Sequence, residues 1–191
     1  MTELAEKKQA LRQELRENRK SRQPDADYSS RLSQSLGQFC LDQSVQSVAA
    51  YFPIEGEPDI REFLEWALKN GIRVMLPSVR GNDLHWVQFD GTTEFGELGF
   101  EEASGASARL SDATVIFVPA LAVDFKGNRL GKGKGYYDRA LATVFAGTKK
   151  RSKVVAVVFD EELLLDVPAE QHDHPVDAAI TASKLLWFQK H

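Results

Sequence analysis

The sequence predicts an α/β fold, a mostly parallel open sheet flanked by helices in a Rossmann-like three-layer arrangement, with an N-terminal helical segment. Its 191 residues suit one sizeable domain better than two. Hydrophobic residues make up 42% of the chain, and the 13 glycines bring the apolar share into the usual globular range. Apolar runs alternate with segments of helical period after residue 45. We therefore expect a single domain over 1–191, with helices in 1–41 and an α/β core in 45–191.

The N-terminal segment predicts two helices. Residues 3–21 are rich in strong helix formers, include a favourable Glu3–Lys7 pair and are followed by Pro24, which ends the helix. At helical spacing Leu4, Leu11 and Leu15 form a narrow apolar stripe. Four basic residues share one flank of this stripe, which we call the basic flank: Lys8, Arg12, Arg16 and Arg19. A second helix has apolar side chains at helical spacing from Tyr28 to Phe39, and Gly37 weakens its end.

A strand, helix, strand unit follows. The run SVAAYF (47–52) predicts a strand that Pro53 ends, and residues 60–68 predict a helix that stops at Asn70-Gly71. The run IRVML (72–76) predicts the next strand, ended by Pro77. Such units build parallel sheets with right-handed crossovers.

The rest of the chain continues the α/β order. LHWVQF (84–89) predicts a strand, and residues 90–111 read as irregular. ATVIFV (113–118) is almost wholly apolar, which is typical of a central strand covered on both faces. We then expect, in order, a long polar loop, a helix near 135–146, a strand at KVVAVVF (153–159), a short helix near 161–165 and a last strand near 178–181.

Composition excludes several classes of protein. The net charge of −4 argues against a general nucleic-acid binder, which would carry a basic excess. Cys40 is the single cysteine, so neither an intramolecular disulfide nor a cysteine-based zinc site is expected. The longest nearly apolar stretch, 113–123, is too short for a membrane span, and the charged N-terminus lacks a secretory signal. We expect a cytoplasmic protein in a reducing compartment, with no membrane partner.

Ligands of open α/β sheets bind at the carboxyl ends of the strands, and the segment after 113–118 is unusual there. It reads VPALAVDFKGNRLGKGKGYYDRAL (118–141) and interleaves four glycines with four basic residues. Glycines let backbone amides approach an anion, lysines supply positive charge, and a helix start directs free N–H groups the same way. The segment matches neither the Walker loop nor the dinucleotide fingerprint. It predicts a polyphosphate site, with a flexible solvated basic loop as the alternative.

This segment resembles the signature of the 5-formyltetrahydrofolate cyclo-ligase family, also called 5,10-methenyltetrahydrofolate synthetases. Three further segments agree in the family's order: KKQALRQEL (7–15), VAAYFPIEGEPDI (48–60) and VPAEQHDHPVDAAIT (167–181). The resemblance implies an enzyme that uses Mg²⁺ and ATP, as co-substrate, to cyclise 5-formyltetrahydrofolate to 5,10-methenyltetrahydrofolate. The formyl oxygen would be phosphorylated, N10 would attack, and ADP and phosphate would be released. We expect it to act as a monomer.

The resemblance also implies residue roles. ATP would bind Lys8, Arg12, Arg129, Leu130, Gly131, Lys132, Gly133, Lys134, Gly135, Tyr136 and Tyr137. Folate would bind Phe52, Glu57 and Tyr137, and Mg²⁺ would bind Asp138 and Asp173. Lys132, Lys134 and Tyr137 would act in catalysis. Glu57 is assigned to folate because it follows the first strand, far along the sequence from the glycines.

Each acidic assignment has a plainer alternative. Asp138 could be an acid favoured by the helix dipole, Asp173 an ordinary loop residue, and Glu57 an acid at a helix start. Two positions depart from the family: Ala103 follows Glu102 where a proline is common, and Lys132 stands where many members have arginine, so a point charge replaces a bidentate contact.

Two rival functions stay open at this point. One is a family paralogue that binds nucleotide or folate without cyclo-ligase activity, which the changed segment around Ala103 would favour. The other is an RNA-binding protein in which tyrosines would stack on bases and a basic cluster would contact the phosphates. The basic cluster consists of Lys149, Lys150, Arg151 and Lys153.

Overall fold

The structure, a computed structural model, describes residues 2–23, 25–96, 99–145, 152–170 and 173–189. The helices of these residues are α1 (Glu3–Ser21), α2 (Tyr28–Asp42), α3 (Arg61–Lys69) and α4 (Tyr136–Phe145). The strands are β1 (Ser47–Ala49), β2 (Arg73–Arg80), β3 (Asp83–Phe89), β4 (Thr93–Phe95), β5 (Glu101–Ala103), β6 (Ser107–Ala108), β7 (Val115–Pro119), β8 (Ala122–Asp124), β9 (Arg129–Leu130), β10 (Lys153–Val157), β11 (Leu163–Leu164), β12 (Ala178–Ile180) and β13 (Leu185–Trp187).

One large sheet forms the centre of the fold. Its strand order is β13-β12-β10-β7-β1-β2-β3-β6. The five strands from β12 to β2 are parallel, and β13, β3 and β6 join at the edges in antiparallel pairs. Along the parallel part, the order doubles back between β1 and β7, as in doubly wound folds. The predicted mostly parallel α/β sheet is confirmed.

Helices cover both faces of this sheet and make three layers. Strand residues alternate between two apolar cores, so Phe117 faces α2 and α3 while Ile116 faces α4. On the first face Phe117 contacts Phe39 of α2 and Phe63 of α3 edge-on, with ring centres 5.8 Å and 5.4 Å apart. Each such pair contributes about 0.5–1.5 kcal/mol beyond its buried area. On the second face Leu141 of α4 is fully buried.

A small second sheet supports α1. Its strand order is β11-β8-β9, and its apolar side chains form a third core with Leu15 and Leu11 of α1. Leu121, Leu130 and Val167 are buried in this core. Leu11 and Leu15 of the predicted leucine stripe therefore lie on the face with which the helix docks, whereas Leu4 lies outside this core.

Pro77 does not end a strand, contrary to the prediction. β2 runs through it to Arg80 and pairs with β3 from Val74 onwards. Arg73 N–H donates to Gln46, and Met75 C=O accepts from Ala50, so alternate residues of β2 face β1. Pro77 also faces β1, but β1 ends at Ala49. The N–H that proline lacks would therefore have had no ladder hydrogen bond to make at this position.

Other elements were misjudged where they are short. The stretch 90–111 holds β4, β5 and β6, and the supposed polar loop after β7 holds β8 and β9. A 3₁₀ turn, Asp160–Glu162, and β11 replace the expected short helix, and β13 follows the expected last strand. Strands of two or three residues are too short for a two-residue period to be recognised.

The helix predictions fare better. α1 has the predicted bounds, whereas Gly37 lies inside α2, which continues to Asp42. A Cβ at Gly37 would lie 3.3 Å from the Trp66 ring, so this glycine lets α2 and α3 approach closely. Pro24 and the predicted end of the fourth helix at 146 lie outside the described residues. No described helix combines the length and the apolar character that a membrane crossing needs.

Candidate active site

A cavity of about 550 Å³ opens at the point where the sheet order doubles back. β1 leads towards α3 on one face and β7 towards α4 on the other, so the chain diverges beyond the carboxyl ends of these neighbouring strands. Phe52 follows β1, and Pro119 ends β7; both border the cavity. This is the position at which doubly wound sheets bind ligands.

The glycine-rich loop, residues 127–135, forms one wall of the cavity. β9 lies within the loop and ties it to the small sheet, and α4 begins directly after it. Gly133 and Gly135 have φ angles of 99° and 67°, a left-handed conformation that other residues adopt at a cost. The loop from Arg129 to Gly135 and the start of α4 border the cavity, and the start of a helix is a common anion site.

The basic flank of α1 forms the neighbouring wall. Arg12 Nε donates to the carbonyl oxygen of Gly131 at 2.9 Å, and Arg16 Nη2 donates to that of Lys132 at 2.9 Å. Two guanidinium groups thus hold the backbone of the glycine-rich loop. Lys8, Arg12 and Arg16 of the basic flank border the cavity, whereas Arg19 does not.

Lys8 is buried in this wall between two carboxylates. Its Nζ lies 2.6 Å from Asp173 and 2.7 Å from Glu170, and its side chain is 7% exposed. Burial alone would lower the pKa of Lys8, but the hydrogen bonds that it donates to Asp173 and Glu170 outweigh burial and raise the pKa. Lys8 is a fixed positive charge at the cavity edge.

Glu57 contacts the glycine-rich loop. Its Oε1 lies 2.8 Å from Lys132 Nζ, and its Oε2 accepts from the Ile54 N–H at 3.1 Å. The Glu57 side chain is 6% exposed, whereas that of Lys132 is 36% exposed. The reason for assigning Glu57 to folate, distance from the glycines in sequence, is therefore wrong, because the fold brings both together. The folate assignment itself stays a prediction.

Aromatic groups also border the cavity. Tyr137 packs edge-on against Trp86, with ring centres 6.4 Å apart, and burial raises the pKa of its phenol, helped by the nearby negative charge of Glu57. Tyr137 is therefore a neutral hydrogen-bond donor at physiological pH. Phe52 packs against Phe89. These aromatic side chains suit a flat heteroaromatic ligand.

Arg129 connects the loop to α4. Its guanidinium Nη2 donates to Asp138 Oδ1, and its side chain is almost completely buried. The Nε of Arg129 is buried and has no hydrogen-bond partner within the described residues. This arginine is therefore a buried loop residue whose charge is paired with Asp138.

Asp138 and Asp173 both border the cavity and could serve a metal ion. No group of three or more His, Cys, Asp or Glu side chains among the described residues could hold a metal ion. Magnesium bound to a nucleotide takes one or two protein carboxylates and completes its shell with water and phosphate oxygens. Two aspartates fit that mode, and they do not fit an all-protein cage.

All the site residues named from the sequence border this one cavity. Leu130 differs from the others because its side chain is buried in the core under α1. The ligands assigned to these residues stay predictions. Of the cations proposed for RNA, Lys153 lies away from the cavity near Gln43 and Trp187, and residues 149–151 lie outside the described ranges.

Sequence reasoning missed several lining residues. Glu102 is a buried carboxylate whose oxygens accept from Ser78 Oγ at 2.7 Å and Val79 N–H at 3.1 Å. Glu102 lies in a stretch rich in glutamate, which is typical of an exposed segment, so the composition gave no indication that this carboxylate is buried. Glu170, the second partner of Lys8, could have been suspected from its place three residues before Asp173 in a matching segment.

Comparisons with known proteins agree with this geometry. Residues 4–182 match the model of the 5-formyltetrahydrofolate cyclo-ligase family. A 5-formyltetrahydrofolate cyclo-ligase of Mycolicibacterium smegmatis is 38% identical over 154 residues, which cover 75% of this chain and 77% of that protein. The structure of Aquifex aeolicus 5,10-methenyltetrahydrofolate synthetase superimposes with a TM-score of 0.79 at 27% identity, covering 96% of this chain and 94% of that one.

A second solved structure shows the likeness in fold alone. The 5,10-methenyltetrahydrofolate synthetase of Mycoplasma pneumoniae has a TM-score of 0.74 at 22% identity, covering 92% of this chain and 99% of that one. The family match spans nearly the whole chain, including α1, the glycine-rich loop and Asp173. The chain belongs to the 5-formyltetrahydrofolate cyclo-ligase family.

Proposed function

We propose that this chain catalyses the ATP-dependent cyclisation of 5-formyltetrahydrofolate to 5,10-methenyltetrahydrofolate, with release of ADP and phosphate. The observation that carries the proposal is the mixed lining of the cavity. Basic side chains and the glycine-rich loop make up one part of the lining, and aromatic side chains with a buried carboxylate make up another. A polyphosphate is an anion that suits the basic part, and a pterin is a flat ring with N–H donors that suits the aromatic part with its carboxylate.

The chemistry needs an activated oxygen. A formamide oxygen is a poor leaving group, so the γ-phosphoryl group of ATP is transferred to the formyl oxygen, which yields ADP and an iminium phosphate at N5. N10 then attacks the formyl carbon and loses its proton. The carbon–oxygen bond breaks and phosphate leaves with the former formyl oxygen, which gives the methenyl bridge. No step requires a nucleophile from the protein.

The protein's part is therefore to position the substrates and neutralise charge. Lys132 and Lys134 supply cations beside the transferring phosphoryl group, and the glycine-rich loop supplies backbone amides. Lys8 and Arg12 extend the positive surface along α1. Bound Mg²⁺ would be held by Asp138 and Asp173 and would neutralise phosphate charge.

The folate would bind at the aromatic part of the lining. Phe52 offers an apolar surface for the ring system, and Glu57 can accept hydrogen bonds from pterin N–H groups. Tyr137, kept neutral by burial, can donate a hydrogen bond to a substrate oxygen. The cytoplasm stays the expected compartment and the monomer the expected state.

A single assay tests the proposal. Purified protein is incubated with 5-formyltetrahydrofolate and MgATP, and methenyl absorbance is followed together with ADP. One ADP for each methenyl product is expected. Formation of AMP and pyrophosphate, or turnover without nucleotide, would refute the mechanism. Binding of both ligands without product would indicate the inactive paralogue.

A further inference from the structure

The ion pair between Glu57 and Lys132 joins a residue assigned to folate with a residue of the loop assigned to the ATP phosphates. The lysine Nζ lies 2.8 Å from the carboxylate. We propose that Lys132 exchanges between Glu57 and the ATP phosphates, so that folate and MgATP strengthen each other's binding; this rests on the proposed function.

Glu57 is the fixed partner of the pair. Its own N–H donates to the Ile54 carbonyl at 3.0 Å, and the Ile54 N–H donates back to its carboxylate, which closes a tight turn. The side chain is almost fully buried. A carboxylate held in this way cannot follow a departing cation.

Lys132 is the partner that can move. Arg16 and Arg12 hold the carbonyl groups of Lys132 and of the residue before it, so the backbone is anchored. The ammonium group ends a flexible four-carbon chain that is partly exposed. Rotation of this side chain alone can transfer the charge from Glu57 to a ligand in the glycine-rich loop.

The exchange has an energetic consequence. If ATP draws Lys132 away, Glu57 is left as a buried charge without its cation, which is strongly unfavourable. Pterin N–H donors at Glu57 would compensate that carboxylate. Folate therefore removes a penalty that ATP would otherwise meet, and by linkage ATP favours folate by the same factor. Coupling between sites typically changes affinity by about 5- to 150-fold.

The experiment measures this coupling without turnover. Binding of the magnesium complex of adenylyl imidodiphosphate is titrated with and without saturating 5-formyltetrahydrofolate, and methenyl absorbance is monitored to verify that no product forms. In the unmodified protein we expect folate to lower the Kd of the analogue at least about fivefold. A Kd that does not change would overturn the proposal.

Two variants identify the carrier of the coupling. Lys132→Gln keeps Glu57, so folate binding can be verified directly, and we expect the coupling to fall below about twofold. Glu57→Gln should also lose the coupling. Because this variant should bind folate more weakly, its coupling is measured at a folate concentration high enough to saturate it. Glu65→Gln, in an exposed pair with Lys69 on α3, is the matched control and should keep it. Full coupling in Lys132→Gln would show that this pair does not carry it.

The outcomes separate the two proposals. Turnover by the unmodified protein without coupling would overturn this inference and leave the proposed function intact. Absence of turnover with MgATP would remove the proposed function and this inference with it.

Discussion

Arg19 of α1 and Glu162 of the 3₁₀ turn after β10 form an ion pair with both side chains almost completely buried, 5% and 2% exposed. Arg19 Nε and Nη2 donate to the two carboxylate oxygens at 2.6 and 2.8 Å, and Nη2 also donates to the Ala120 carbonyl at 2.6 Å. The Phe159 N–H donates to the same carboxylate. This contact holds the end of α1 against the small sheet, away from the cavity.

Removal of Arg19 should destabilise the protein strongly. We expect Arg19→Ala to lower the free energy of unfolding by up to about 3–5 kcal/mol, because Glu162 loses its hydrogen-bonded cation and keeps only Arg22, 3.7 Å away. Urea unfolding measures the change. Arg31→Ala, which breaks an exposed pair with Asp25, is the control and should have little effect. The double variant Arg19→Met with Glu162→Leu removes both charges, and we expect it to recover the lost stability. An equal loss of stability in Arg19→Ala and Arg31→Ala would show that the buried pair is no more important than the exposed one.

This effect should depend on pH. Burial already raises the pKa of Glu162, and the hydrogen bonds from Arg19 oppose the rise. Without Arg19 the folded-state pKa rises further, so the folded variant binds a proton that the unfolded chain does not. That protonation stabilises the variant as pH falls, so the difference in unfolding free energy from the unmodified protein should narrow as pH falls from neutral towards the ordinary glutamate pKa.

Replacement of the aspartates should change the magnesium requirement. Asp138→Asn and Asp173→Asn lose a negative charge with almost the same shape, so we expect the half-saturating Mg²⁺ concentration to rise at least about tenfold at fixed ATP. Asp166→Asn, in an exposed pair with Lys126, is the control. Normal magnesium dependence in both site variants would show that other groups hold the ion.

Loss of the basic flank should weaken ATP binding without unfolding the chain. We expect Lys8→Ala with Arg12→Ala to raise the KM for ATP by more than about tenfold, since each charge-assisted bond contributes about 1.5–3 kcal/mol. Arg19 and Leu15 still hold α1, so circular dichroism should be unchanged. An unaltered KM would favour a purely structural role for the two side chains.

Bound nucleotide should order α1. We expect the amides of residues 4–20 to exchange hydrogen more slowly with MgATP, most of all near Lys8 and Arg12, because the Arg19 end is already held by Glu162. Hydrogen exchange with and without MgATP measures this difference. Equal protection in the two states would mean that phosphates contribute nothing to the docking of this helix.

The single cysteine should be inert in the folded protein. Burial raises the pKa of Cys40 to about 12, so the reactive thiolate is scarce at pH 8. Because the folded protein holds the thiol proton more tightly than the unfolded chain does, the contribution of Cys40 to the free energy of unfolding is fully present below the ordinary thiol pKa. It is lost as the pH rises from there towards 12. Iodoacetamide should label the chain only after urea unfolding, and rapid labelling of the folded protein would contradict this placement. Cys40→Ser is the blank.

Long periodic segments were predictable from the sequence, and contacts between distant segments were not. α1 is predicted with its observed bounds because helix formers and a leucine stripe agree over nineteen residues. Pro77 misled because the tolerance of a strand for proline depends on where its neighbour ends, which no local pattern records. The central strands were recognised from their apolar runs, since both faces of them are covered.

The candidate site shows the same division. The glycines and lysines of 127–135 indicated an anion site because residue type and order carry that information. The pairing of Lys132 with Glu57, and the burial of Glu102 beneath Ser78 and Val79, depend on tertiary contacts between separate strands and loops. Such contacts leave no trace in local composition.

The docking of α1 has a consequence for the order in which the chain assembles. Arg19 meets a carbonyl 101 residues later and a carboxylate 143 residues later, and Lys8 meets Asp173 across 165 residues. Such contacts close long loops, so their entropy cost is met only once most of the chain is ordered. During synthesis α1 leaves the ribosome well before these partners do. The wall of the cavity that α1 forms is therefore synthesised early and docked late, and a nascent chain halted before Glu162 lacks the buried carboxylate that anchors this helix.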